Sequence, residues 1–340
     1  MSRYYRIEIK NPKTGVIITP PGFNGLLGGA SYTSFVNGQT LPGAWNVELD
    51  IPVVQQAAPQ GYANVTIWGI SRQEISQASD LNGMNIAVYG GMQKGLPLAN
   101  PAQAGLLVQG TVFQAYGNWI GTAQTLDLVI SPGMTTAASP GGFGTLAQPK
   151  NIVLNWKAGT TLSAALKTTL STAFPGMPSN ININAGLVRP NDEVTFYPTL
   201  EQLAQYVRST SRDIIKTANY PGVSIAPDKA GSSLNVYDSS SGTPKQIDFI
   251  DLIGQPTWLQ PRTVSIKTVM RADLTMGQSI LLPKAVVTNT AAAATSIANQ
   301  QPSFQGSYDI ISLRHVGNFR QPSADSWVSV IDATPSMPSS

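Results

Sequence analysis

The sequence predicts a mainly β protein with a small α+β domain set between two β-rich regions. Three observations carry this. Short segments of alternating apolar and polar residues recur at both ends of the chain, with Gly, Pro and Asn between them. Helical spacing occurs only in the middle, over 160–174 and in a second helix that follows Thr199 and carries Leu200 to Lys216. Charged residues make up 11% of the 340 residues against roughly 25% in a typical soluble domain, while Gly (31) and Pro (25) are plentiful.

In chain order, "RYYRIEIK" (3–10) reads as a strand. Asn11–Gly15 reads as a turn and "VIIT" (16–19) as its return strand. Residues 20–43 are Gly-rich and read as an extended loop or arm. Strands follow at 44–54 and 63–71, then a polar turn or short helix from Gln73 to Leu81. "MNIAVYGG" (84–91), "GLLVQGTVFQAY" (105–116) and "TAQTLDLVI" (122–130) complete a set that suggests an antiparallel barrel or sandwich. Residues 133–150 read as a linker.

The middle region spans 151–245. "NIVLNW" (151–156) is strand-like, and 160–174 is a helix ended by Pro175-Gly176. A second helix starts at Thr199, with Gln202 placed as in a capping box and Leu200, Leu203, Val207 and Ile214 on one face. Short strands at 180–186, 222–226, 233–238 and 246–253 follow. The second β region, 246–335, contains "RTVSIKTVMRADLTMGQSILLP", a low-charge insertion at 287–306, "SYDIISLRHVG" and "SWVSVIDA". Residues 336–340 read as a frayed tail.

Composition excludes several functions. With no cysteine there is no disulfide and no thiolate metal site. A net charge of +3 with no basic block argues against general nucleic-acid binding. No apolar run reaches the ~18 residues of a membrane span, so no stable membrane insertion is expected. The weakly charged, polar surface suits a subunit of an assembly.

Candidate sites are sparse. The only histidine, His315, lacks a G-x-S-x-G partner and reads as structural, capping a hairpin. Asp127, Asp192, Glu193, Asp248 and Asp251 are scattered, so no metal is expected. Asp248 and Asp251, three apart in an expected strand, point to opposite faces and do not form one acid/base pair. "GGFGTL" (141–146) and "GLLGG" (25–29) lack the rest of a phosphate loop. Arg208, Arg212 and Lys216 line one helix face. They read either as a contact with DNA or an acidic partner, or as a solvated face. Trp68 and Trp258 stand where alternation does not demand burial, which makes them interface candidates. No catalytic residue and no cofactor is expected.

Three groups of residues carry a family resemblance. The first is "ANVTIWGIS", "GMNIAVYGGM" and "GLLVQGTVFQAY"; the second is "GTTLSAALKTTLSTAF". The third is "QPTWLQPRTVSIKTVMRADLTMGQSILLP", closed by "GSYDIISLRHVG" and "SWVSVIDA". In that order they resemble the central baseplate hub protein of contractile-tail bacteriophages. Late-control tail proteins and the hub part of secretion-system spike proteins share that fold. The resemblance covers most of 44–333. Its most specific parts are His315-Val316-Gly317 and "RADLTMGQSI"; residues 20–43 and 287–306 depart from it. It implies two similar barrels, over 1–132 and 246–335. It also implies a homotrimer whose six barrels form a ring between a six-fold tail tube and a three-fold spike. Partners would be the tail tube protein, the spike and other baseplate proteins, with DNA only passing through. The location would be the virion tail baseplate, assembled in the host cytoplasm. The family sometimes carries a fused cell-wall-degrading domain, and none is expected here. The rival readings are another tail component, such as a distal-tail or tube-initiator protein, a carbohydrate-binding β module, and a hydrolase built from distant carboxylates.

Overall fold

The computed structural model describes residues 3–53, 62–93, 100–132, 151–217, 220–230, 232–238, 244–261, 263–283, 304 and 306–336. The expected linker at 133–150, most of the insertion at 287–306 and the tail beyond Ser336 lie outside the described residues.

The chain begins with β1 (Arg3–Lys10), the short β2 (Tyr32–Thr33), β3 (Phe35–Val36) and β4 (Gln39–Thr40), then β5 (Asn46–Val53), β6 (Ala63–Trp68), β7 (Asn85–Met92), β8 (Gly105–Ile120) and β9 (Ala123–Pro132). The middle region holds β10 (Ile152–Trp156), β11 (Ser179–Asn182), β12 (Glu193–Tyr197), β13 (Ser224–Pro227) and β14 (Leu234–Tyr237). It ends in β15 (Lys245–Gln246), β16 (Thr257–Gln260), β17 (Thr263–Val269), β18 (Ser279–Leu282), β19 (Gly306–Asn318) and β20 (Trp327–Pro335). The described residues include three α-helices: α1 (Arg72–Ser76), α2 (Leu162–Ala173) and α3 (Leu200–Ile215).

Both β regions belong to one large curled sheet of 13 strands, antiparallel apart from the short β15–β18 pair. Its main path runs β16-β17-β20-β19-β5-β6-β9-β8-β7-β1-β2. Period-two alternation builds it. In β6, Ala63, Val65 and Ile67 are buried while Asn64 and Thr66 are not. In β17, Val264, Ile266 and Thr268 do the same.

The strand order occurs twice. The first unit runs β5-β6-β9-β8-β7-β1, and the second runs β16-β17-β20-β19-β18-β15. The register repeats with it. Val65 faces Leu128 as Ile266 faces Ile331. Asn85 faces Thr111 as Ser279 faces Asp309. The β8–β9 pairing shifts register between Val112 and Gln114, and β19–β20 shifts at the matching place, between Ile310 and Ser312. Even the turns before β7 and β18 agree. Gly83 and Gly277 both have positive φ, +78° and +74°, and donate to Val112 O (2.8 Å) and Ile310 O (3.4 Å).

The units join at one seam. Leu313–Asn318 of β19 pair with Val53–Glu48 of β5, so His315 stands opposite Ile51. The two sheet cores also meet, because Met270, Ala272, Phe319 and Trp327 of the second unit pack into the core of the first.

The middle region has its own core around Trp156, Leu166, Leu203, Val207 and Val236. Helix α2 is capped by Thr161, whose hydroxyl accepts Ala164 N–H, and it ends just before Pro175. Thr199 caps α3 in the same way through Gln202 N–H, whereas the full reciprocal capping box is found at Ser71 and Glu74 of α1.

Four local expectations are corrected. Residues 16–19 do not form a return strand; only Ile17 bridges to Lys10. Residues 20–43 are not an extended arm: Tyr32 and Thr33 pair with β1, and Leu27 and Ala30 are buried, because the glycines allow turns that fold the segment back. Residues 246–253 are not a strand: after Gln246 the chain makes a 3-10 turn at Phe249–Asp251. Strand β8 runs on to Ile120, because its hairpin partner β9 starts only at Ala123.

Candidate functional site

His315 does not cap a hairpin. It lies inside β19, fully buried, with Nδ1 2.8 Å from Ser329 Oγ and Nε2 without a partner. Burial pushes its pKa down to about 3, helped by the charge of Lys229. A neutral imidazole shut off from solvent is no general base, and its place on the seam is structural.

The "RADLTMGQSI" corner forms a buried ionic node. Arg271 is 2% exposed, reaches Asp251 at 2.8 Å and grips Asp273 through Nε (3.0 Å) and Nη2 (2.9 Å). Gln103 of the first unit donates to the same Asp251 oxygen at 3.0 Å and accepts Ala272 N–H at 2.7 Å. Lys245 adds a contact to Asp273 at 3.1 Å. Lys229 of the middle region donates to Ala272 O, and burial lowers its pKa to about 8. Burial would raise Asp273, but hydrogen bonds and charge from Arg271 and Lys245 outweigh it and hold the carboxyl below its usual range. The node ties three parts of the chain together. Asp248, exposed at the turn, does not join it.

Among the described residues no cluster of His, Asp or Glu fits a metal ion. Asp192 instead binds Lys157 and Ala158 N–H, and Asp127 accepts from Thr66, Asn118 and Thr125. No described helix is long and apolar enough to cross a membrane.

Arg208 and Arg212 lie one turn apart on α3, with the stems of both beside Gly222. Arg208 is half-buried and donates to Pro221 O at 3.3 Å. Arg212 is exposed, and Lys216 lies beyond the helix in a left-handed C-cap with φ of 53°.

The two tryptophans differ. Trp68 ends β6, half-buried, and its indole N–H is buried without an acceptor among the described residues. Trp258 is 42% exposed on β16, the outermost strand of the second unit, with its ring 5.5 Å from Phe304. Beside it Leu259 is 57% exposed.

An exposed apolar rim on β8 escaped the sequence reading. Phe113, Tyr116, Trp119 and Ile120 of β8 are all exposed, Trp119 by 54% and Ile120 by 77%. The register shift after Val112 reverses which residues face the core, so unbroken alternation wrongly sends Tyr116 to the core and Ala115 to solvent. The available signal was three aromatics spaced by three across small residues, Ala115 and Gly117. Among the described residues, two strand edges, β8 beyond β7 and β16, have no strand beside them and carry exposed aromatics. Such edges support strand addition by another chain.

No family model and no curated relative matches the chain. In overall build it resembles solved structures of phage tail proteins. One is the 43 kDa tail protein of prophage MuSo2 from Shewanella oneidensis, at 8% identity and TM-score 0.47, covering 98% of both chains. Another is a tail protein from Neisseria meningitidis MC58, at 11% identity and TM-score 0.46, covering 97% of this chain and 96% of that one. A PdpA-VgrG complex matches at 7% identity and TM-score 0.49, covering 100% of this chain and 67% of the other. At these identities and scores the likenesses carry no argument about function.

Proposed function

We propose that the protein is a structural hub subunit of a contractile-tail baseplate. Three copies would place six β units in a ring, joining a six-fold tail tube to a three-fold spike around a DNA channel. The observation that carries this reading is the doubled strand order with its matching register. A ring that meets six-fold symmetry on one side and three-fold on the other needs each chain to offer two equivalent surfaces. Each unit is then one small barrel, over 1–132 and 246–335, with 151–245 as the domain set between them. The near-neutral surface fits a channel that lets DNA pass, since each phosphate contact would add salt-dependent affinity. The role is architectural and not catalytic, in keeping with the buried, neutral state of the only histidine.

Light scattering across a concentration series tests the reading. A mass of three chains and particles with pseudo-six-fold symmetry are expected. A monomer that binds glycans on an array, at all concentrations, would replace the hub with a carbohydrate-binding module.

A further inference from the structure

The two units differ in several places, as where β1 runs antiparallel to β7 but β15 parallel to β18, and one difference concerns a strand edge. In the second unit, β19 outgrows β18. Gly306–Asp309 pair with β18, and Leu313–Asn318 pair with β5 of the first unit. In the first unit, β8 outgrows β7 in the same manner. Gly105–Thr111 pair with β7, while among the described residues Gln114–Ile120 have no strand on that side.

The matching register shifts fix the correspondence. Ala115 takes the place of Leu313, Gly117 of His315, Asn118 of Val316 and Trp119 of Gly317. By the same rule β16 is the counterpart of β5. Thr257 faces Ser265 as Asp50 faces Asn64, so Thr257 matches Asp50 and Trp258 matches Ile51. Strand β5 has both edges paired, and among the described residues β16 has one edge without a strand beside it. The chain therefore holds one completed seam, β5 on β19, and the two halves of a second one. Those halves do not meet in one copy: six strands separate β16 from β8 along the sheet path, and both rims are exposed.

We propose that β16 of one copy adds to the free rim of β8 in the next, with Trp258 opposite Gly117 and Thr257 opposite Asn118. This rests on the ring of copies proposed above and names the contact that closes it. The backbone is ready for it. Phe319 N–H bonds Val47 O, so alternate residues 313, 315 and 317 turn their backbone groups towards β5. Their counterparts are 115, 117 and 119. Ala115 N–H is already taken by Asn82 Oδ1 at 2.8 Å, so the added strand engages from Gly117 onwards. Pro256, opposite Trp119, offers only its carbonyl. Side chains agree as well. Tyr116, Trp119 and Ile120 meet Trp258 and Leu259, all exposed in the single chain; no charge lies within 113–120 or 256–260, and the guanidinium of Arg72 lies 4.3 Å over the Trp119 ring. The contact is head-to-tail, because two different edges meet, and head-to-tail contacts make closed rings or filaments.

The chain has no cysteine, so engineered pairs report cleanly. Asn118 and Thr257 correspond to Val316 and Asp50, a pair without mutual backbone bonds, where Cα atoms come to about 4.5 Å and a disulfide fits. Asn118→Cys and Thr257→Cys chains would be purified separately, mixed and oxidised, and the masses followed by light scattering and non-reducing gels. The expected result is a covalent dimer in the mixture and none from either variant alone, with the double variant giving a covalent trimer. A three-chain particle without cross-links would overturn this contact and leave the hub reading standing. A monomer without cross-links would overturn both. Dimers from one variant alone would replace the head-to-tail contact with a two-fold one.

Discussion

The guanidinium of Arg271 lies 2.8 Å from the carboxylate of Asp251, and both side chains are almost wholly buried. Asp251 follows the 3-10 turn, Arg271 follows β17, and Gln103 of the first unit shares the same carboxylate oxygen. Removing the cation would leave Asp251 buried without a counter-charge, while Asp273 would keep only Lys245. Arg271→Met is therefore expected to cost about 3–5 kcal/mol of unfolding free energy. Urea titration measures it, and a loss below about 1 kcal/mol would show that the node is solvated in solution.

His315 makes stability depend on pH in a defined window. Its folded pKa is about 3 and its ordinary value is 6.5, so between these the unfolded chain binds the extra proton. Stability is full above pH 6.5 and falls as pH drops, by at most about 1.4 kcal/mol per unit. Between pH 7 and 5 the expected loss is about 1–2 kcal/mol, before the lowered Asp273 and Glu8 carboxyls begin to protonate. His315→Asn should flatten that slope whatever its effect at pH 7. An unchanged slope in the variant would assign the window to another group.

Gly83 and Gly277 occupy matching turns with different neighbours. A Cβ on Gly83 meets nothing within 4 Å, while one on Gly277 would lie 2.1 Å from the ring of Tyr237 in the middle region. Gly83→Ala should cost about 1–2 kcal/mol for its left-handed backbone alone. Gly277→Ala adds an overpacking penalty of about 1–3 kcal/mol. Equal losses in denaturant midpoints would mean that Tyr237 moves aside freely.

Much of this was readable in the sequence. Alternation found β6 and most of β17, because each has one face on a core and period two holds there, whereas β7 is buried on both faces. The helices were readable from their spacing and caps. The repeat was not. Val65 and Ile266, or Leu128 and Ile331, share only an apolar character, and loops of unequal length shift each strand pair by a different amount. The β8 rim was hidden by one inserted residue at the register shift. The ionic node was hidden because Asp251, Arg271 and Gln103 come from three separate segments, and nothing local announces their meeting. Of the interface candidates, Trp258 stands on an edge with no described strand beside it, while Arg208 packs against its own chain.

Trp327 and Trp68 offer a matched comparison. The indole of Trp327 donates to Gly91 O at 2.9 Å, whereas that of Trp68 has no acceptor among the described residues. Trp327→Phe should lose about 1–3 kcal/mol because it leaves a buried carbonyl unpaired. Trp68→Phe removes an unsatisfied donor and should cost clearly less. Thermal midpoints in the reverse order would show that Trp68 finds a partner in solution.

The seam between β5 and β19 also has a kinetic meaning. Arg314 and Asp50, which bridge it, are 264 residues apart in the chain. On the ribosome, β5 emerges long before β19 is made, so its outer edge waits bare through most of synthesis. Closing so distant a contact makes the last seam a slow folding step. During that interval a neighbouring nascent chain could take the vacant place on β5, and premature exchange of β19 between copies is the characteristic misassembly of this architecture.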